Sequence, residues 1–81
     1  MKKDAVTGTE SLPNGTIFSR NLKKQRILKS VTQKVMAEQL YVDASSYGKW
    51  EKGIREPGTE MIIRIAEVLG INPGVLFEKE K

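Results

Sequence analysis

Ser45, Lys49 and Lys52 stand at helical spacing in the run DASSYGKWEKG and point away from Tyr47 and Trp50, which lie three residues apart on the other side. One side of this short segment is suited to burial; the other offers a hydroxyl and two ammonium groups. Such groups make hydrogen bonds and charge contacts to a polyanion, and no histidine or cysteine stands beside them to support nucleophilic or general-base work. The whole chain shares that limit. It has no cysteine and no histidine, which removes disulfides, thiolate metal sites, thiol nucleophiles, the commonest zinc ligand and the commonest general base. It also lacks a glycine-rich phosphate loop and a sequence-adjacent pair of carboxylates. The sequence therefore predicts a protein that is not an enzyme, with no cofactor, metal or small-molecule ligand.

Two further positions bear on recognition. Thr32 is a good N-cap for a helix over Gln33–Leu40, and the free amides of that first turn, with Gln33, suit a phosphate; Thr32 as a cap and Gln33 at an anion contact use the same helix end. Glu51 is expected on the inward half of its helix, where a carboxylate needs a charged or hydrogen-bonded partner. Arg26 is the candidate, against the simpler reading that Glu51 leans into solvent.

These side chains need elements to carry them, and the segment from Thr32 to Gly53 holds two short amphipathic runs joined by too few residues for anything but an angled helix pair. Met36, Ala37 and Leu40 line the first. In the second, capped by Asp43 and running from Ala44 to Lys52, a rotation of 100° per residue puts Asp43, Tyr47, Trp50, Glu51 and Ile54 inward, with Ser45, Lys49 and Lys52 opposite and Ala44 and Gly48 at the side. Trp50 beside lysines could suggest base stacking, but its place on the Tyr47 stripe reads as core. Gly53 ends the helix.

A preceding helix is expected from Thr16 or Phe18 to Lys29, capped by Thr16 or Ser19, with Phe18, Leu22 and Gln25 on one stripe and a break at Ser30–Thr32. After Pro57, with Gly58 or Thr59 as cap, Ile62, Ile65, Ala66 and Leu69 form a core stripe ending at Gly70. Asn72 and Pro73 read as N-cap and first residue of a last short helix through Leu76 and Phe77. Residues 1–15 read as a flexible N-terminal arm with a turn at Pro13–Gly15, residues 16–77 as the folded domain and residues 78–81 as a charged tail. Met61, Val68 and Val75 are exposed apolar candidates for half of a dimer contact.

At 81 residues with a formal charge of +4, the chain bounds one small domain with a compact core. The charge is unevenly placed. Residues 16–55 carry nine basic and three acidic side chains, a local charge of +6, whereas residues 56–81 carry three basic and five acidic. The positive field lies over the front half of the fold, where a polyanion would be steered. No apolar run approaches the length of a bilayer span, and Met1–Gly15 has no signal-peptide core, so the expectation is a cytoplasmic protein without membrane contact.

The stretch VTQKVMAEQLYVDASSYGKWEKGIREPGTEMIIRIAEVLGIN resembles the Cro/CI-type helix-turn-helix family, also called Xre. The resemblance covers about Phe18 to Phe77. It rests on Thr32-Gln33, Ala37, Trp50-Glu51 with Gly53, Glu56-Pro57, and Ala66 with Leu69-Gly70 in combination. It implies an all-α, five-helix, lambda-repressor-like domain that binds double-stranded DNA as a transcriptional repressor and homodimer, with the third helix in the major groove. By motif position it implies that Ala44, Ser45 and Lys49 read bases, with Ser46 and Gly48 at the margin. Gln33, Lys52 and the Gly53–Arg55 loop, Arg55 included, would grip phosphate. Arg26 and Glu51 would form a structural ion pair. The chain departs from the family pattern where Tyr41 and Ser30 stand in place of the usual glycines and where Tyr47 replaces an aliphatic residue. The alternative is a protein-interaction module, such as an antitoxin-like partner, using the same fold.

Overall fold

The first three helices each begin at a residue whose side chain closes the first turn, whereas the fourth opens at Gly58 with no side-chain cap bond. Thr16 opens the first: its Oγ1 accepts from the Ser19 amide at 3.0 Å while the Ser19 Oγ accepts from the Thr16 amide at 2.7 Å, so the two candidate caps act together as a capping box. Thr32 accepts from the Val35 amide at 3.1 Å and Asp43 from the Ser46 amide at 3.0 Å. The elements of this computed structural model, which describes residues 15–79, are α1 Ile17–Leu28, α2 Gln33–Leu40, α3 Ala44–Lys52, α4 Thr59–Leu69 and a terminal 3-10 helix Pro73–Phe77. Residues 1–14 of the expected arm and residues 80–81 of the expected tail lie outside the described residues.

The expected fifth α-helix is thus a 3-10 helix, and the described residues hold four α-helices. Pro73 removes one amide and Asn72 Oδ1 accepts the next, from Gly74 at 2.8 Å, so five residues close i to i+3 bonds instead of an α-turn.

Phe18 and Leu22 of α1, Met36, Ala37 and Leu40 of α2, Tyr47 and Trp50 of α3, Ile65, Ala66 and Leu69 of α4 and Leu76 make one buried cluster. α3 packs on α1 and α2, α4 packs on α2, and the 3-10 helix closes against α1 and α4. Trp50 meets Tyr47 edge to face at 5.9 Å between ring centres, which spends its ring on the core. Gln25 is half-buried at the edge of the α1 stripe, and Ile62 is half-buried on α4.

Two expected inward positions of α3 turn out exposed. Ile54 is 67% exposed because Gly53 leaves the helix at φ +79, after which a 100° projection no longer applies. Asp43 is exposed because, as N-cap, it precedes the helical residues. Asn21, which no pattern singled out, is 6% exposed and donates from Nδ2 to the carbonyls of Leu76, at 3.1 Å, and Glu78, at 2.8 Å. It fastens the end of the described chain to α1.

Ser30 and Tyr41 hold φ values of +59 and +60, the left-handed geometry for which the family pattern has glycine. Each costs about 1–2 kcal/mol relative to an ordinary backbone. Ser30→Gly is expected to raise the unfolding free energy by about 0.5–1 kcal/mol, net of glycine's greater entropy loss. Tyr41→Gly gains less, because it also removes a ring lying 5.9 Å from the Arg64 guanidinium carbon, a contact worth about 0.5–1 kcal/mol when exposed. Urea titration of the two variants beside the parent checks the order; an equal or larger gain at Tyr41 would contradict it.

Candidate nucleic-acid interface

α3 is held by its buried side and leaves the other free. Ala44, Ser45, Lys49 and Lys52 are all exposed, and their spacing along nine helical residues places Ser45, Lys49 and Lys52 on one outward stripe. Gly48 beside them is half-buried, and a Cβ built there meets nothing within 4 Å, so no packing within the fold requires a glycine. The Ser46 hydroxyl donates to Asp43 Oδ1 at 2.8 Å. That bond, with the Ser46 amide, holds the Asp43 carboxyl below its ordinary range and keeps it charged at the start of the helix.

Gly53 brings the next residues back against α3. The amides of Ile54 and Arg55 both point at the Lys49 carbonyl, at 3.1 and 3.4 Å, so the backbone of the exposed Arg55 is held at the end of α3. Gly53 also lies against the chain entering α1: a Cβ on it would sit 3.0 Å from Gly15 Cα and 3.1 Å from the Thr16 amide nitrogen.

Behind this face lies one carboxylate, Glu51, whose side chain is 2% exposed. Arg26 Nε donates to Oε2 and Nη2 to Oε1, at 2.5 and 3.1 Å; Tyr47 Oη donates to Oε2 at 2.6 Å and Gln33 Nε2 to Oε1 at 2.9 Å. Arg26 Nη1 also donates to the Val31 carbonyl at 2.8 Å, tying in the α1–α2 connection. The solvent-facing reading of Glu51 is thereby excluded and the Arg26 pairing found. Burial pushes the Glu51 carboxyl up, but the bonds from Arg26, Tyr47 and Gln33 outweigh it and hold it below the ordinary 4.5. Burial, and then the bond to Glu51, push the Tyr47 hydroxyl far above the usual tyrosine range, so it stays a donor.

Gln33 is exposed at the first turn of α2, as a phosphate contact requires, but one of its amide protons already serves Glu51. Glu51 is the acceptor for the hydroxyl that Tyr47 brings in place of an aliphatic residue, a partner that sequence reasoning did not name. The signal was present: Tyr47 and Glu51 are four apart on one helix. Gln33, eighteen residues from Glu51, carried no such local sign.

Residues 22–76 match the sequence profile of the helix-turn-helix family, over more than half of the chain. The chain belongs to the Cro/CI-type helix-turn-helix family. It is 38% identical over 64 residues to YqaE of Bacillus subtilis, an uncharacterized helix-turn-helix-type transcriptional regulator, covering 79% of this chain and 55% of that protein. It is 33% identical over 64 residues to the transcriptional activator BcrR of Enterococcus faecalis, covering 79% of this chain and 31% of that one. Among solved structures it is similar to the restriction-modification controller protein C.AhdI of Aeromonas hydrophila, with 31% identity and a TM-score of 0.71, covering 75% of this chain and 92% of that chain. The chain thus spans about half the length of YqaE and a third of BcrR.

Proposed function

We propose that this helix-turn-helix domain binds duplex DNA sequence-specifically and regulates transcription in the cytoplasm, with α3 in the major groove. The observation that carries the reading is the exposed stripe of Ser45, Lys49 and Lys52 on a helix whose opposite face is locked into the core. Lys49, with Ser45 and the Ala44 methyl, reads base edges; Lys52, Arg55 and the Gln33 end of α2 hold phosphates. Occupying a promoter in this way excludes polymerase, so the regulatory effect proposed is repression. The proposal includes a homodimer on a two-fold site, with half-sites roughly 34 Å apart. Val68 and Ile63 of α4 and Ile54 before it supply exposed apolar surface for it, whereas Met61 and Val75, expected there, are half-buried.

Selection of bound duplexes from a random pool tests this directly, and a two-fold consensus would report the dimer. On the selected duplex, Lys49→Ala is expected to relax base preference at one position by about 1–3 kcal/mol of discrimination. Lys52→Ala is expected to weaken all sequences alike and to flatten the salt slope by about one unit. Binding unmoved by both changes would remove α3 from the interface. Tyr41, 86% exposed, favours a second reading, an antitoxin-like protein contact; recovery of no duplex, with partner binding insensitive to salt, would favour it.

A further inference from the structure

Tyr47 and Gln33 come from different helices and are bonded to the same carboxylate. The phenol is wholly buried in α3 and donates to Glu51 Oε2; the carboxamide is exposed at the start of α2 and donates to Oε1. With Arg26 on both oxygens, the lone-pair directions of the carboxylate are filled. Tyr47 has a role here that Arg26 does not duplicate. Arg26 reaches across from α1, so its fork fixes the carboxylate relative to α1; the Tyr47 bond spans one turn of α3 and fixes it relative to the reading helix. Gln33 is oriented by the result. A carboxamide facing a carboxylate must turn its N–H inward, which leaves Gln33 with Oε1 and one remaining N–H for any partner outside.

We propose that Tyr47 is a positioning residue for duplex binding: through Glu51 it holds the Gln33 carboxamide so that its remaining N–H meets a phosphate at the start of α2. The inference rests on the DNA-binding reading above. Loss of one such contact corresponds to a threefold to tenfold change in affinity, about the worth of one net hydrogen bond. Tyr47→Phe keeps the ring and removes only the hydroxyl, and Gln33→Met keeps the length of an exposed side chain.

The experiment is a double-mutant cycle, Tyr47→Phe and Gln33→Met, on the duplex recovered by random-pool selection, at a temperature where circular dichroism shows every variant folded. Each single change is expected to weaken binding about threefold to tenfold, and the double change no more than either alone. A purely structural role for Tyr47 would lower the melting temperature and leave binding of the folded protein intact. The second readout is NMR of the protein without DNA. The Gln33 side-chain amide protons are expected to move toward free-glutamine positions in Tyr47→Phe, and the buried Tyr47 hydroxyl proton to shift in Gln33→Met, a variant that replaces no core side chain. Multiplying losses in the cycle, full-strength binding by Tyr47→Phe, or a Tyr47 hydroxyl proton indifferent to Gln33→Met would each overturn the proposal. If selection recovers no duplex, the DNA-binding reading fails and this inference with it. If duplex is recovered and the cycle is additive, only the positioning role fails.

Discussion

Glu51→Ala is expected to lower the unfolding free energy by about 3–5 kcal/mol, the cost of breaking a buried pair from one side. Alanine takes the carboxylate from the Arg26 guanidinium, 12% exposed at its side chain and still bonded to the Val31 carbonyl, and removes the acceptor of the buried Tyr47 hydroxyl. For a domain of this size, whose whole stability is of order 5–10 kcal/mol, that change removes much of the margin. In a urea titration the midpoint should fall sharply with little change in slope; a loss below about 1 kcal/mol would mean that the cluster behaves as a surface ion pair. The same carboxylate sets an acid limit. Folding holds Glu51 below its ordinary 4.5, so the unfolded chain binds the extra proton first and stability falls as pH drops through the folded value. The contribution is complete above the ordinary glutamate range and absent below the folded one. Stability of the parent relative to Glu51→Gln should therefore shrink as pH is lowered from about 7 toward 3. A difference that stays constant over that range would show that the carboxylate carries no such linkage.

Gly53→Ala is expected to cost about 2–4 kcal/mol, from two sources that add. The backbone at φ +79 disfavours any side chain by about 1–2 kcal/mol. The new Cβ would press on Gly15 Cα and the Thr16 nitrogen, at 3.0 and 3.1 Å, which are backbone atoms with no rotamer to escape into. Gly53→Asn separates the two, since asparagine tolerates the left-handed region but still brings a Cβ; it should recover part of the loss and no more. Thermal unfolding of both variants reads the result at roughly 4–8 °C per kcal/mol. An alanine variant as stable as the parent would show that α1 can draw back from the α3–α4 turn. In that event Arg55, which the turn holds beside the Lys49 carbonyl, would be less firmly placed than the geometry indicates.

Most of the architecture was legible because it is written in local signals. Thr16, Thr32 and Asp43 cap the helices they were expected to cap, Gly53 and Gly70 end theirs, and Met36, Ala37, Leu40, Tyr47, Trp50, Ile65, Ala66 and Leu69 lie where helical spacing puts them, in the core. Local signals also misled where a cap changed the direction of the chain. Ile54 was projected inward along a helix that had already ended, and the residues after Pro73 wind as a 3-10 helix. Tyr41 shows the opposite case: the glycine geometry persists without the glycine, because packing of α2 and α3 against the core fixes the turn more strongly than one strained residue opposes it.

By itself, then, the sequence determined which segments are helical, which faces are apolar, which outward side chains are cationic, and that Glu51 requires a partner. Periodicity, capping and charge placement are properties of neighbours along the chain, and neighbours suffice to read them. Only the tertiary structure decided that Tyr47 and Gln33 join the expected Arg26 on Glu51, that Asn21 holds the Leu76 and Glu78 carbonyls, and that Gly53 lies against Gly15. Those contacts join residues brought together by how the helices cross, and a buried polar group accepts whichever donor the crossing delivers.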